Sequence, residues 1–261
     1  MLVFAIFRKE LQGYFASPLA YIVAGIFWLL SGFIFVVLLL GPGGIIQRVA
    51  FQEQQSAFPI STDVAYIFLG QFLSTIGSIS PLILPMLSMG LYAEERKGRT
   101  LELLATSPIS NWAVALGKLL GVVTFYITLL VPLIICETIA FSAADPPFPP
   151  AVPLLAHLGL ILLAASILSL GMFISSLTSS SLISAFVTFA LVIFLALLDV
   201  IGARAPQPLG DILNHISLLK HYETFLQGIF DWGSLALFAS YIILGIFLTA
   251  QSIETLRFQR S

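Results

Sequence analysis

The sequence predicts an all-α membrane protein: six transmembrane helices, an N-terminal interfacial helix and one short helix on a charged connection. Three observations carry this reading. First, 59% of the 261 residues are hydrophobic and 9% are charged, whereas a soluble domain is about a quarter charged. Mean hydropathy is +1.05, so a globule of this chain could not cover its surface with polar groups. Second, the chain contains uncharged runs that reach the roughly 30 Å of a bilayer core at about 1.5 Å per residue. Third, these runs are separated by Gly-, Pro- and Ser-rich breaks, and Lys and Arg collect on alternate connections. A net charge of −2 provides no basic field for nucleic acid. Cys136 stands alone, which excludes a disulfide framework or a Cys-based zinc site.

Taken in order, residues 1–17 place Phe4, Phe7, Leu11 and Phe15 at helical spacing, with Arg8, Lys9 and Gln12 free to face the other way. That pattern predicts a helix lying on the inner leaflet. Its length, and the lack of a small-residue cleavage site after it, argue against a signal peptide. Ser17-Pro18 turns the chain into the first span, 20–40, and Gly41-Pro42-Gly43-Gly44 stops it. The second span, 64–93, contains Pro81 and Pro85 and is expected to kink or tilt. The third, 119–144, contains Pro132 and exits through Asp145-Pro146-Pro147-Phe148-Pro149-Pro150. The fourth and fifth, 153–177 and 182–198, are joined by a short polar turn of Thr and Ser. An outer loop, 204–232, precedes the last span, 233–253.

An even number of spans places both termini on one side, and the basic residues choose that side. With the termini cytoplasmic, Arg8, Lys9, Arg96, Lys97, Arg99, Lys118, Arg257 and Arg260 lie inside. Only Arg48, Arg204 and Lys220 lie outside.

Chemistry-bearing motifs are scarce. Gly117-Lys118 lacks the upstream Gly of a phosphate loop and is followed by Leu119; HExxH and GxSxG do not occur. His215 and His221 are six residues apart, which is not one helical face, so with Asp211 and Glu223 they read as a polar outer loop. No metal site is assigned. Two acids lie at membrane depth. Asp199 reads as interfacial. Glu137, toward the outer end of the third span, either reaches the interface or marks an intramembrane pathway.

The longest charged stretch is the connection 94–118, which begins Glu94-Glu95-Arg96-Lys97-Gly98-Arg99. Thr100 can cap a short helix that has Glu102 in its first turn. Leu101, Leu104 and Ala105 would form one apolar face, and Ser107-Pro108 would end the helix. Such a stripe suits burial against the bundle or docking onto a soluble partner.

This segment resembles the signature of ABC-2-type transporter permeases: an acidic pair (Glu94, Glu95), Gly98, then Thr100-x-Glu102-Leu103-Leu104, Ser107-Pro108 and Gly117-Lys118. Lys9-Glu10-Leu11, Tyr14-Phe15 and Ser17-Pro18 are similar to the family's opening helix. Gly171 to Thr178 is similar to its fourth-span exit, and His221 to Gly228 to its outer loop. The closest branch in pattern is the gliding-motility-type permease, related to those of nitrous-oxide-reductase maturation. Arg99, standing between Gly98 and Thr100, departs from many relatives.

The resemblance implies that six spans form half of a transmembrane pathway, paired with a second permease subunit as a homodimer or heterodimer. It implies a bacterial inner-membrane exporter that is not itself an enzyme. No cofactor would bind this chain directly; ATP and Mg would be held by separate ABC ATPase subunits, and an accessory subunit could join on the outer side. The coupling helix that engages the ATPase falls on Glu94, Glu95, Arg96, Gly98, Thr100, Glu102, Leu104 and Pro108. The competing reading is a non-transporting anchor or scaffold for an ATPase complex.

Overall fold

The computed structural model describes residues 2–55, 63–100, 110–144 and 147–258. Eleven helices form among them: α1 (Leu2–Ala16), α2 (Pro18–Leu40), α3 (Ile45–Gln55), α4 (Val64–Ser88), α5 (Gly90–Lys97), α6 (Asn111–Ser142), α7 (Ala151–Leu177), α8 (Ser181–Gly202), α9 (Leu209–Ile216), α10 (Leu218–Leu226) and α11 (Trp232–Phe258). No strand occurs among the described residues. Among the described residues, six helical stretches are long and apolar enough to cross a membrane, as the sequence predicts.

Local chemistry explains the boundaries. Pro18 occupies the first turn of α2, where its missing N–H costs nothing. Gly43 ends the following turn at φ 74°, a left-handed conformation that favours glycine. Asp63 caps α4 by accepting from the Tyr66 amide at 3.0 Å. Ser180 and Ser217 cap α8 and α10 in the same way, accepting from the Ile183 and Lys220 amides.

The second span is two helices rather than one. Pro81 and Pro85 lie inside α4 and offer no N–H to the turn before them. The ladder breaks at Met89, where a side chain from another helix enters it. Ser175 Oγ of α7 donates to the Met89 carbonyl at 2.8 Å. It accepts from the Tyr92 and Ala93 amides at 3.0 and 3.1 Å. An inserted hydroxyl with all three of its positions filled is a physical cause of the interruption.

Helix α7 is the centre of the bundle, with 78% of its apolar window buried against 22% for α2 and 17% for α8. It packs on α4, α5, α6, α8, α10 and α11. Close approach depends on small residues. A Cβ on Gly245 would stand 2.6 Å from the Ser169 backbone, and one on Gly171 would run into Ser88 Oγ. Ser166 and Ser169 add bonds to the carbonyls of Phe238 and Tyr241 across the α7–α11 seam. The core runs through Phe72, Leu73, Tyr92, Tyr126, Leu130, Leu160, Leu168 and Met172, all fully buried.

The helix of the third span, α6, starts at Asn111 directly after Ser110 and carries Lys118 within it. Two sequence expectations change. The outer loop 204–232 is not a loop over most of its length. Its helices α9 and α10 fold back onto the bundle, with Tyr222 and Phe225 buried beside Gly77 and Gly159. The two histidines separated by six residues do meet, since the chain turns at Ser217 between them. Their ring centroids are 5.9 Å apart, and His221 also bonds Ser234 Oγ at 2.8 Å.

Candidate functional site

The chain's best-defined polar site lies where α5 leaves the bundle. Lys118 projects from α6, and its side chain is 2% exposed. A buried ammonium must be paired and fully hydrogen-bonded. Lys118 Nζ achieves this with three acceptors: Glu10 Oε1 at 2.9 Å, Glu95 Oε1 at 2.9 Å and the Leu91 carbonyl at 2.8 Å. It also lies 4.9 Å from the centre of the Tyr92 ring. Lys9 closes the cluster from the surface, at 3.2 Å from Glu10 and 3.1 Å from Glu95. Two cations and two carboxylates thus join α1, α5 and α6 with no net charge.

Electrostatics follow the geometry. Burial by itself would raise the Glu10 carboxyl, but the Lys118 and Lys9 ammoniums outweigh it and hold Glu10 below the ordinary carboxylate value. For Lys9, burial works against the charge, yet Glu10 and Glu95 prevail and raise its pKa.

The helices approach closely enough for this because α6 presents two glycines to α1. A Cβ on Gly117 would meet the Ile6 side chain at 2.8 Å, and one on Gly121 would meet Glu10 Cβ at 2.8 Å. Tyr14 of α1 adds a bond to the Leu87 carbonyl at 2.6 Å, reaching the end of α4.

The acidic pair therefore divides. Glu95 turns inward to the cluster, while Glu94 stays exposed and folds against Gly90, where no Cβ blocks it. Arg96 donates to the Ser176 carbonyl at 2.7 Å, a cation on the final turn of α7, where the helix dipole favours it. The end of α5 is a Schellman motif. The Thr100 amide bonds the Glu95 carbonyl at 3.0 Å, and the Arg99 amide bonds the Arg96 carbonyl at 3.3 Å. Arg99 takes the left-handed position at φ 56°, and Gly98 sits one residue earlier in a helical conformation. The Thr100 hydroxyl bonds back to the Glu95 carbonyl at 3.2 Å, toward α5. Glu102, Leu104 and Pro108 lie outside the described residues.

Glu137 lies apart from this cluster, buried on α6. The fold brings His157 of α7 to 3.6 Å from its carboxyl group. Lys118, Lys9 and Glu10 escaped selection as site residues, although all three stand in the family-like stretches. The available signal was a single lysine, Lys118, flanked on both sides by apolar residues and glycine.

A comparison with curated proteins finds no match. A family model described as ABC-2 family transporter protein matches residues 46–248, which includes α4 to α10 and most of α11. The chain belongs to the ABC-2 family of membrane-spanning transporter subunits.

Proposed function

We infer that this chain is the permease subunit of an ATP-driven exporter whose ATP and Mg are bound by separate ABC ATPase subunits. The segment from Glu94 to Pro108 would transmit their motion. The observation that carries this reading is the division of labour along α5. Glu95 and Arg96 tie its base to α1, α6 and α7 through the Lys118 cluster and the Ser176 carbonyl. Glu94, Lys97, Arg99 and Thr100 remain exposed. A force applied to the exposed residues would reach four helices as packed bodies. The orientation places this basic face and both termini in the cytoplasm of a bacterial inner membrane, supported by the excess of Lys and Arg on that face. The exposed apolar faces of α2 and α8 suit lipid and a second permease subunit. The motifs favour the gliding-motility-type branch, with an accessory outer subunit.

Charge reversal tests the coupling role at the exposed positions. Glu94→Lys and Glu102→Lys should abolish copurification of the ATPase while leaving membrane insertion intact. An ATPase that stays bound to both variants would refute the assignment. A cysteine at position 100 should label only from the cytoplasmic side. Substrate-dependent ATP turnover in liposomes separates a permease from a non-transporting scaffold, which would show none.

A further inference from the structure

The second buried ionisable pair lies at the opposite end of α6. Glu137 is 2% exposed, and the His157 side chain is 8% exposed. His157 Nδ1 lies 2.8 Å from the Pro153 carbonyl, one turn earlier in α7. A carbonyl can only accept, so Nδ1 carries a hydrogen, and Nε2 of the neutral ring is left with a free lone pair. That lone pair faces Glu137 Oε2 at 3.6 Å, a few tenths of an ångström beyond hydrogen-bond length. Neither carboxyl oxygen of Glu137 has a hydrogen-bond partner, and neither does Nε2.

An ionised Glu137 would sit here with no donor on either oxygen, which is the costly arrangement for a buried charge. A neutral acid removes that cost and supplies the one hydrogen that Nε2 can accept. Helices α2 and α4 carry no charged residue; α10 carries Lys220 and Glu223, and among the described residues neither forms an ion pair with Glu137 or His157. The titratable neighbour is Tyr222 of α10, and its hydroxyl is committed to the Leu73 carbonyl at 2.7 Å.

We propose that Glu137 and His157 form a proton-binding site that holds Glu137 as the neutral acid, its hydrogen directed at His157 Nε2. The site is built from the facing sides of α6 and α7 beneath α10. Separating these helices admits water, the Glu137 O–H bond breaks, and the proton passes to water, leaving a solvated carboxylate. Closing them takes a proton up again. The ligand is a single proton, and its uptake is linked to the packing of these two spans. The inference does not depend on the ATPase partner.

The test uses the full chain in lipid nanodiscs and in detergent. At neutral pH, the infrared spectrum should contain a protonated-carboxyl band that Glu137→Gln removes, and His157→Leu should shift that band upward as the acid loses its acceptor. Thermal unfolding gives an independent readout. If the folded state holds a proton that the unfolded state releases, stability falls as pH rises above the ordinary carboxyl range. Glu137→Gln should therefore melt above the wild type at about pH 8, and the two should converge toward about pH 5. A mutation that merely damaged packing would lower the midpoint at every pH. Absence of the band in the wild type, or melting curves that stay parallel across this range, would overturn the proposal.

Discussion

Replacing Lys118 by methionine removes one charge and keeps a flexible apolar stem against Tyr92. The substitution leaves Glu10 and Glu95, 13% and 16% exposed, facing the same empty position. Removing one partner of a buried ion pair costs about 3–5 kcal/mol. Leu91 also loses the donor to its carbonyl, worth about 1 kcal/mol. Lys9 still faces both acids but is 68% exposed, so it offsets no more than about 1 kcal/mol. The net loss is about 3–5 kcal/mol, a fall of roughly 6–20 °C in Tm for a chain of this size. Thermal unfolding of the purified chain, followed by tryptophan fluorescence, measures it. Lys9→Met should cost less than about 1 kcal/mol in the same assay. Adding Glu10→Gln and Glu95→Gln to Lys118→Met should recover most of the loss, because the uncompensated charges disappear. If Lys118→Met melts within about 1 kcal/mol of the wild type, or if Lys9→Met is equally damaging, the buried ammonium does not hold these helices together.

Further consequences follow from the same structure. Because the Glu10 carboxyl is held below its ordinary value of 4.5, its stabilisation is complete above that pH and is lost as pH falls through the lowered value. Acid unfolding should therefore be steeper in the wild type than in Glu10→Gln. Ser175→Ala should cost about 1–3 kcal/mol and speed hydrogen exchange at the Tyr92 and Ala93 amides, which bond its hydroxyl. Arg99→Gly should stabilise by about 1 kcal/mol in chemical denaturation, since it relieves a left-handed residue that carries a Cβ. Gly171→Ala should destabilise by about 1–3 kcal/mol through overpacking. Ser88→Gly should restore part of that, because the inserted methyl would collide with Ser88.

Run length made the spans legible, because a bilayer imposes a minimum apolar length that local composition reports directly. What stayed hidden depends on which residues meet. Glu94 and Glu95 are chemically identical in sequence; a rotation of about 100° between helix neighbours sends one into the cluster and leaves the other in solvent. Lys118 read as the end of a cytoplasmic connection because a charge ordinarily ends a span. Its three acceptors come from α1 and α5, 108 and 23 or more residues away, and no local pattern announces them. The break at Met89 was anticipated only as a proline kink, since Ser175 lies 86 residues further on. Arg99 was visible as an irregularity between Gly98 and Thr100, and the Schellman geometry gives that irregularity its physical form.

The cluster around Lys118 carries two positive and two negative charges on three separate helices. Moving one net charge through a membrane potential of 100 mV involves about 2.3 kcal/mol. A joint whose charges cancel can shift as one body along the membrane normal with almost no electrical work. The cluster itself would therefore add almost no voltage dependence to a movement of these three helices.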